Sequence, residues 1–322
     1  MNIQNHYRIE TVFTLLQPLS HIGESESTQS FLNTTTVINE GIPVEVFFYS
    51  GNALRGMLRD CGARYLLDKL GIQVPLKTFH LLFSGGSIGG DQNVDIDQSR
   101  LLRKTLPFLS VFGGGVGNQI LDGKIKQTHA YPICKETNGI LPSYLEKSEF
   151  SWRQLSGDVQ FSRKDDEKNE NLRPLYLHAP DEEQKLLEGE TEKKKKKSDG
   201  PATQMRYAVE YMAAGNKLYH RFDLICEEVE LGAFVSAIHE WQKQPYLGGM
   251  AGKGFGLVAA DMELITEEGR QPFAQIGAEY IKLGPVAEQA KQTYDTHLKD
   301  IYDAYLLENS DNFINLLEGA KK

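Results

Sequence analysis

Cysteine is scarce in this chain, with three in 322 residues: Cys61, Cys134 and Cys226. They are far apart and odd in number, which excludes a disulfide framework and a zinc ligand set and points to a reducing compartment. No apolar run approaches the roughly 18–20 residues that a bilayer-spanning helix needs. The start, "MNIQNHYRIE", lacks the basic stretch and apolar run of a secretory signal. The expectation is a cytoplasmic protein with no membrane partner. Positive charge is also in deficit. Lys and Arg number 35 against 44 Asp and Glu, a net charge of −9. That excludes a protein that coats nucleic acid by bulk electrostatics. The deficit is uneven, however. Residues 261–322 hold 12 acidic and 6 basic side chains, a net of −6, so residues 1–260 carry −3. A basic groove is compatible with the first part, and the acidic tail reads as a solvated helical face.

What is present reads as alternating strands and helices. "YRIETVFTLLQPL" (Tyr7–Leu19) is a strand ending at Pro18, followed by a polar loop, "SHIGESESTQS". "TTTVINEGIPVEVFFY" is two strand runs around a turn at Asn39-Glu40-Gly41. Ser50 is placed to cap a helix from Gly51 to about Lys69, with Leu54, Leu58, Cys61, Tyr65 and Leu66 on its apolar side. "SGGSIGGDQN" is loop, "FLSVFGGGVGNQI" is apolar and glycine-rich, and "GKIKQTHAYPIC" alternates as a strand. Residues 163–204 are dense in charge and poor in apolar residues, an exposed insertion that includes the Lys193–Lys197 run. "QMRYAVEYM" and "KLYHRFDLIC" alternate and are joined at Gly215-Asn216, which reads as a hairpin. Leu231, Phe234, Val235, Ile238 and Trp241 form a helical stripe. A glycine loop, "YLGGMAGKGFG", leads into the strand "FGLVAADMEL". Pro285 opens a C-terminal helix to about Leu307, and a short one follows from Ser310. The skeleton is an α+β, ferredoxin-like βαββαβ core over 1–265, interrupted at 163–204, with a C-terminal helical extension over 266–322.

Two junctions could hold phosphate. In "FFYSGNALRGMLRD" a strand runs into a helix start, where free N–H groups and the macrodipole favour an anion. Arg55 and Arg59, four apart, share a face and could reach a sugar–phosphate chain. A capped helix with two solvated arginines is the alternative. The second junction, "GGMAGKGFG", is neither of the two familiar nucleotide loops. A Walker A motif needs Gly at the position of Leu247 and Ser or Thr at that of Gly254. The dinucleotide fingerprint fails on spacing. Five glycines and Lys253 still suit close backbone contact with a polyanion, or a tight helix-to-strand connection. Asp91, Asp95 and Asp97 lack the glycine and closing glutamate of a calcium loop. No metal or other cofactor is implied. His21, in "PLSHIGES", is the most loop-like of eight scattered histidines and the candidate base were the chain a ribonuclease.

Several of these segments, in this order, resemble one family. "SGNALRGMLRDCGARYLL" resembles the glycine-basic signature that follows the second strand in the RAMP (repeat-associated mysterious protein) superfamily. "LGGMAGKGFGLV" is similar to its C-terminal glycine-rich loop. "LSVFGGGVGNQILDGKIKQTHAYPI" resembles the corresponding run of its backbone branch, and "PLSHIGES" the loop after its first strand. Within that superfamily the chain resembles the backbone subunit of a multisubunit CRISPR effector, most like the type IV version. The resemblance spans about residues 7–265. It implies an RRM-like core with a protruding thumb, for which 163–204 is the candidate. It also implies copies stacked head-to-tail along a guide RNA, held for pairing with a complementary target nucleic acid and joined by other effector subunits. The implied guide-contacting residues are His21, Ser50, Asn52, Arg55 and Arg59, then Met205, Arg206 and Tyr207, then Gly249, Met250, Ala251, Gly252 and Lys253. Two departures stand out. Gly51-Asn52-Ala53 replaces the family's frequent Gly-Ser-Ser. The loop after the first strand carries Glu24 and Glu26 but not the aspartate with which type III backbone subunits support target cleavage. A non-catalytic subunit is therefore the expectation. A guide-processing endoribonuclease based on His21, or target RNA cleavage through Glu24 or Glu26, is the alternative.

Overall fold

The computed structural model describes residues 4–86, 96–116, 119–163, 205–306 and residue 313. Expectations for 164–204 with its lysine run, for Asp91 and Asp95, and for the helix from Ser310 fall outside those residues. In chain order the first half holds β1 (Asn5–Leu15), β2 (Ile22–Glu26), β3 (Gln29–Leu32), β4 (Thr34–Asn39), β5 (Ile42–Phe47), α1 (Gly51–Leu70), α2 (Leu76–Ser84), α3 (Ile96–Thr105) and α4 (Pro107–Phe112). Next come β6 (Gly114–Val116), β7 (Gln119–Leu121), β8 (Ile125–Gln127), β9 (Tyr131–Pro132) and β10 (Ser156–Arg163). The remainder is β11 (Met205–Met212), β12 (Lys217–Cys226), α5 (Glu228–Trp241), β13 (Val258–Thr266), β14 (Gly269–Ile276), β15 (Ile281–Leu283) and α6 (Pro285–Ile301).

The fold is mixed α+β, built on a seven-stranded sheet ordered β15-β14-β13-β1-β12-β8, with β9 also paired to β12. Its strand pairs are antiparallel. Alternation along β1 decides which face is covered. Ile9, Thr11, Phe13 and Leu15 are buried, and the residues between them are not. The covered face meets α5, where the whole predicted stripe from Leu231 to Trp241 is buried; the Phe222 and Phe234 rings lie 5.0 Å apart. α1 and α6 pack against α5 in turn. Gly232 is where α6 comes closest: a Cβ there would collide with the Ala290 carbonyl. The opposite face carries ion pairs. Arg8 and Arg221 reach Asp223 at 3.1 and 2.8 Å, and Arg270 reaches Glu10 at 2.7 Å while its guanidinium lies 3.6 Å from the Tyr144 ring centre.

Three sequence expectations change. The polar loop after β1 is a hairpin, β2–β3, that joins β10 and β11 in a second sheet ordered β10-β11-β3-β2. Its residues lack an apolar alternation, so only tertiary pairing shows it to be strand. β1 ends at Leu15, short of Pro18, because the chain turns there: Leu16 and Gln17 donate to the Leu257 carbonyl. Gly215-Asn216 is not a hairpin turn, since β11 and β12 lie in different sheets. Gly215 donates its N–H to the Leu15 carbonyl and Leu15 donates its own to the Asn216 carbonyl across this connection, which passes the chain from the small sheet to the large one. The β4–β5 hairpin is as expected, with positive φ at both Glu40 (51°) and Gly41 (82°), as a two-residue primed turn requires.

Candidate nucleic-acid interface

The N-terminus of α1 is the point on which the predicted site residues converge. The helix spans Gly51–Leu70 with Ser50 in extended conformation before it, but the Ser50 hydroxyl makes no cap hydrogen bond. Two imidazoles take that role. Ser50 donates its N–H to His21 Nε2 at 3.2 Å, and Gly51 donates its N–H to His129 Nδ1 at 3.1 Å. Each accepting nitrogen must be unprotonated, so His21 carries its proton on Nδ1 and His129 on Nε2. Burial lowers the pKa of both below the usual histidine value, and the neighbouring His129 lowers that of His21 further. Leu54 donates back to the Ser50 carbonyl, which leaves the N–H groups of Asn52 and Ala53 without an acceptor among the described residues. Gly51 is required by its neighbour: a Cβ there would lie 2.6 Å from the Thr128 carbonyl oxygen. Its purpose is therefore close packing against the chain itself.

A cleft opens on each side of this turn. The first, about 710 Å³, is lined by His21, Tyr49, Met57, Arg64, Gly249 and Met250, among others. Tyr49 stacks near His21, with ring centres 4.6 Å apart, and its hydroxyl accepts the Gly248 N–H at 3.2 Å. Gly249 donates to the Ser20 carbonyl. The loop after β1, the start of α1 and the glycine loop thus meet at one place. Met250 adopts φ 66°, a left-handed conformation that costs a side-chain-bearing residue of order 1 kcal/mol. The N–H groups of Met250, Ala251 and Gly252 have no acceptor among the described residues.

The second cleft, about 670 Å³, is lined by Asn52, Arg55, Arg59 and Lys126 and walled by the glycines at 85–86 and 113–115. The arginines sit here, and their roles differ. Arg59 is only 9 % exposed. It donates to the carbonyls of Phe112, Gly113 and Leu81, joining α1 to the ends of α4 and α2. Burial, and then the neighbouring Arg55, lower its pKa to about 10 against a smaller opposing effect of Asp60. Arg55 donates to the Phe112 carbonyl at 2.6 Å, while its Nε is buried without a partner. The sequence offered both guanidiniums either to a sugar–phosphate chain or to solvent. The structure instead lays them over the C-terminal carbonyls of a short apolar helix, where the dipole favours a cation.

The third group lies on the small sheet. Tyr207, on β11, meets Lys253 of the glycine loop: Nζ to Oη is 2.6 Å. Arg206 is exposed beside it, and Met205 opens the same strand. Glu24 and Glu26 lie exposed on β2. Sequence reasoning missed His129, Tyr49 and Phe161. His129 had an available signal, as a histidine within an alternating strand run. Nothing in the chain order showed that it would reach the start of α1.

No family model and no curated protein sequence matches the chain. Solved structures do: 166 chains match, so the fold is widely shared and does not by itself specify an activity. One of them is a chain of a structure named "Type IV-B CRISPR Complex", 18 % identical, with a TM-score of 0.55 over 85 % of this chain and 96 % of that one. The fold of this protein is therefore that of a type IV CRISPR complex chain over most of both lengths. Among the described residues no helix is long and apolar enough to cross a membrane.

Proposed function

We propose that this chain is a non-catalytic, RNA-binding backbone subunit of a type IV CRISPR effector complex, working in the cytoplasm. Copies would stack head-to-tail along guide RNA, present it for pairing with a complementary target nucleic acid, and meet other effector subunits at the ends. The observation that carries this reading is the convergence of His21, Ala53 at the start of α1 and Gly249-Met250 of the glycine loop on one cleft, with Arg206 and Tyr207 on the strand alongside. Unpaired backbone N–H groups from two segments favour phosphates over bases, so the strand would be held without regard to sequence. Arg55, from the other side of the turn, and Asn52 would extend the contacts. The strand order supports an RRM-like, ferredoxin-like core. Four strands, β13-β1-β12-β8, lie in the order fourth, first, third, second of a βαββαβ unit. The open face of that sheet is filled with ion pairs in place of the aromatic platform that RRMs use. In this reading the RNA would run over the loops and turns at the sheet's end.

The experiment is direct. Single-stranded RNA binding is measured by fluorescence polarisation across a salt series, together with the 260/280 nm absorbance ratio of the purified protein. Expected are co-purified nucleic acid and micromolar or tighter binding that weakens steeply with salt. Absence of both sinks the reading. RNA cleavage that disappears in His21→Ala would replace it with the endoribonuclease alternative.

A further inference from the structure

Lys253 was singled out in the sequence as a phosphate ligand, yet its ammonium is turned toward the protein. It hydrogen bonds the Tyr207 hydroxyl at 2.6 Å and lies 4.8 Å from the centre of the Tyr207 ring and 5.0 Å from that of Phe161. Those two rings are stacked, 5.4 Å apart and inclined at 26°, across the β10–β11 pair in which Phe161 faces Tyr207. Two residues after Lys253, Phe255 is buried and sits 6.2 Å from Phe161 and 6.0 Å from Tyr211. The glycine loop therefore meets the ribbon twice, once through an apolar ring and once through a cation over a ring pair. Beyond the loop, β11 is held by pairing with β3 at Ala208 and Val209, by a bridge from Met212 to Leu19, and by Glu210, whose carbonyl accepts from the Ser20 hydroxyl and whose carboxylate accepts from the Leu32 N–H.

We propose that Lys253 is a positioning residue, a latch that ties the glycine loop to the β10–β11 ribbon and so sets the spacing between the loop's free N–H groups and Arg206. Its consequence for RNA rests on the function proposed above; the latch itself does not. The ammonium is near the Phe161 ring, which favours a cation even close to solvent, and the Tyr207 hydroxyl adds a directed hydrogen bond. The turn at 251–253 is flanked by left-handed Met250 and Gly254, so the lysine holds a segment whose backbone is bent at both ends. Removing it frees the turn without exposing a core.

The test compares wild type with Lys253→Met, Tyr207→Leu, the double variant and Lys253→Arg. Without RNA, amide hydrogen exchange over 248–254 and 205–208 is expected to quicken about 3–10-fold in each of the first two variants. The double variant should be no faster than the worse single one, and Lys253→Arg should stay within about twofold of wild type, because a guanidinium also stacks on rings. With a single-stranded RNA probe, Lys253→Met should weaken binding while the slope of log affinity on log salt is unchanged. Unaltered exchange in both single variants overturns the latch. So does a fall of about 0.7 in the slope for Lys253→Met with Tyr207→Leu silent, since that is the loss of one phosphate contact to a single strand. If wild type binds no RNA, the proposed function fails while the exchange measurements still judge the latch.

Discussion

The two sides of the α1 N-terminus carry cations, Arg59 and Lys253, that the sequence offered to the same polyanion. On one side Arg59 is buried under three carbonyls and holds α2 and α4 to α1. On the other, Lys253 is exposed and ties the glycine loop to the small sheet through a pair of rings. Between them lies a turn whose first two N–H groups are taken by imidazoles and whose next two are open. The comparison teaches that a basic residue in a glycine-rich context is as easily the fastener of a backbone-lined cleft as its ligand. What remains for a polyanion is mostly main-chain N–H, which no side-chain pattern reports.

The sharpest way to break this contrast is Arg59→Ala. Three carbonyls would lose their donor in a buried place, and stability should fall by about 2–4 kcal/mol, read from the urea midpoint. A loss under about 0.5 kcal/mol would show Arg59 to be dispensable to the fold and return it to the ligand set. Acidification tests the imidazole-capped floor of the same turn. His220 is fully buried beneath Thr128, and burial holds its pKa near 3, below the unfolded value of about 6.5. Its contribution is present in full above pH 6.5 and is lost as pH falls. The slope is about 1.4 kcal/mol per pH unit, so near 2 kcal/mol should disappear by pH 5. His21 and His129 act in the same direction. Urea titrations at pH 7 and pH 5 giving equal midpoints would contradict a neutral buried imidazole.

Arg55→Ala separates the two arginines. With its Nε already unpartnered, the cost in stability should be about 1 kcal/mol or less, while RNA affinity drops several-fold with a smaller salt slope. A stability loss equal to that of Arg59→Ala, with RNA binding untouched, would merge the pair into one structural unit. The smallest effect is expected on the loop side. Met250→Gly relieves a left-handed side-chain-bearing residue and should change stability by no more than about 1 kcal/mol, in the stabilising direction. A clear loss in thermal melting would mean that the Met250 side chain packs in the first cleft more firmly than its backbone is strained.

Legibility followed the range of the interactions involved. The α1 stripe, the α5 stripe and the Asn39–Gly41 turn were readable because helical period, alternation and turn chemistry are local. The β2–β3 hairpin was not, because Ile22–Glu26 is exposed throughout and its partner, β3, is held in the sheet by β11, far along the chain. The Gly215-Asn216 connection misled for a related reason: two alternating strands separated by four residues suit a hairpin, and which sheet each joins depends on residues far away. At the site, the sequence marked the right segments, His21, Ser50–Arg59, Arg206-Tyr207 and Gly249–Lys253. It assigned roles to Arg59 and Lys253 that their burial and partners change.

By itself the sequence determined the α1 and α5 helices with the apolar faces they must cover, and the primed turn between β4 and β5. Only the tertiary structure decided which cations are consumed by the protein, that two histidines cap a helix lacking a side-chain cap, and that three separated segments share a cleft. The physical reason is common to all three. Hydrogen-bond partners, burial and desolvation are properties of neighbours in space, and those neighbours here stand from 22 to 199 residues apart around α1.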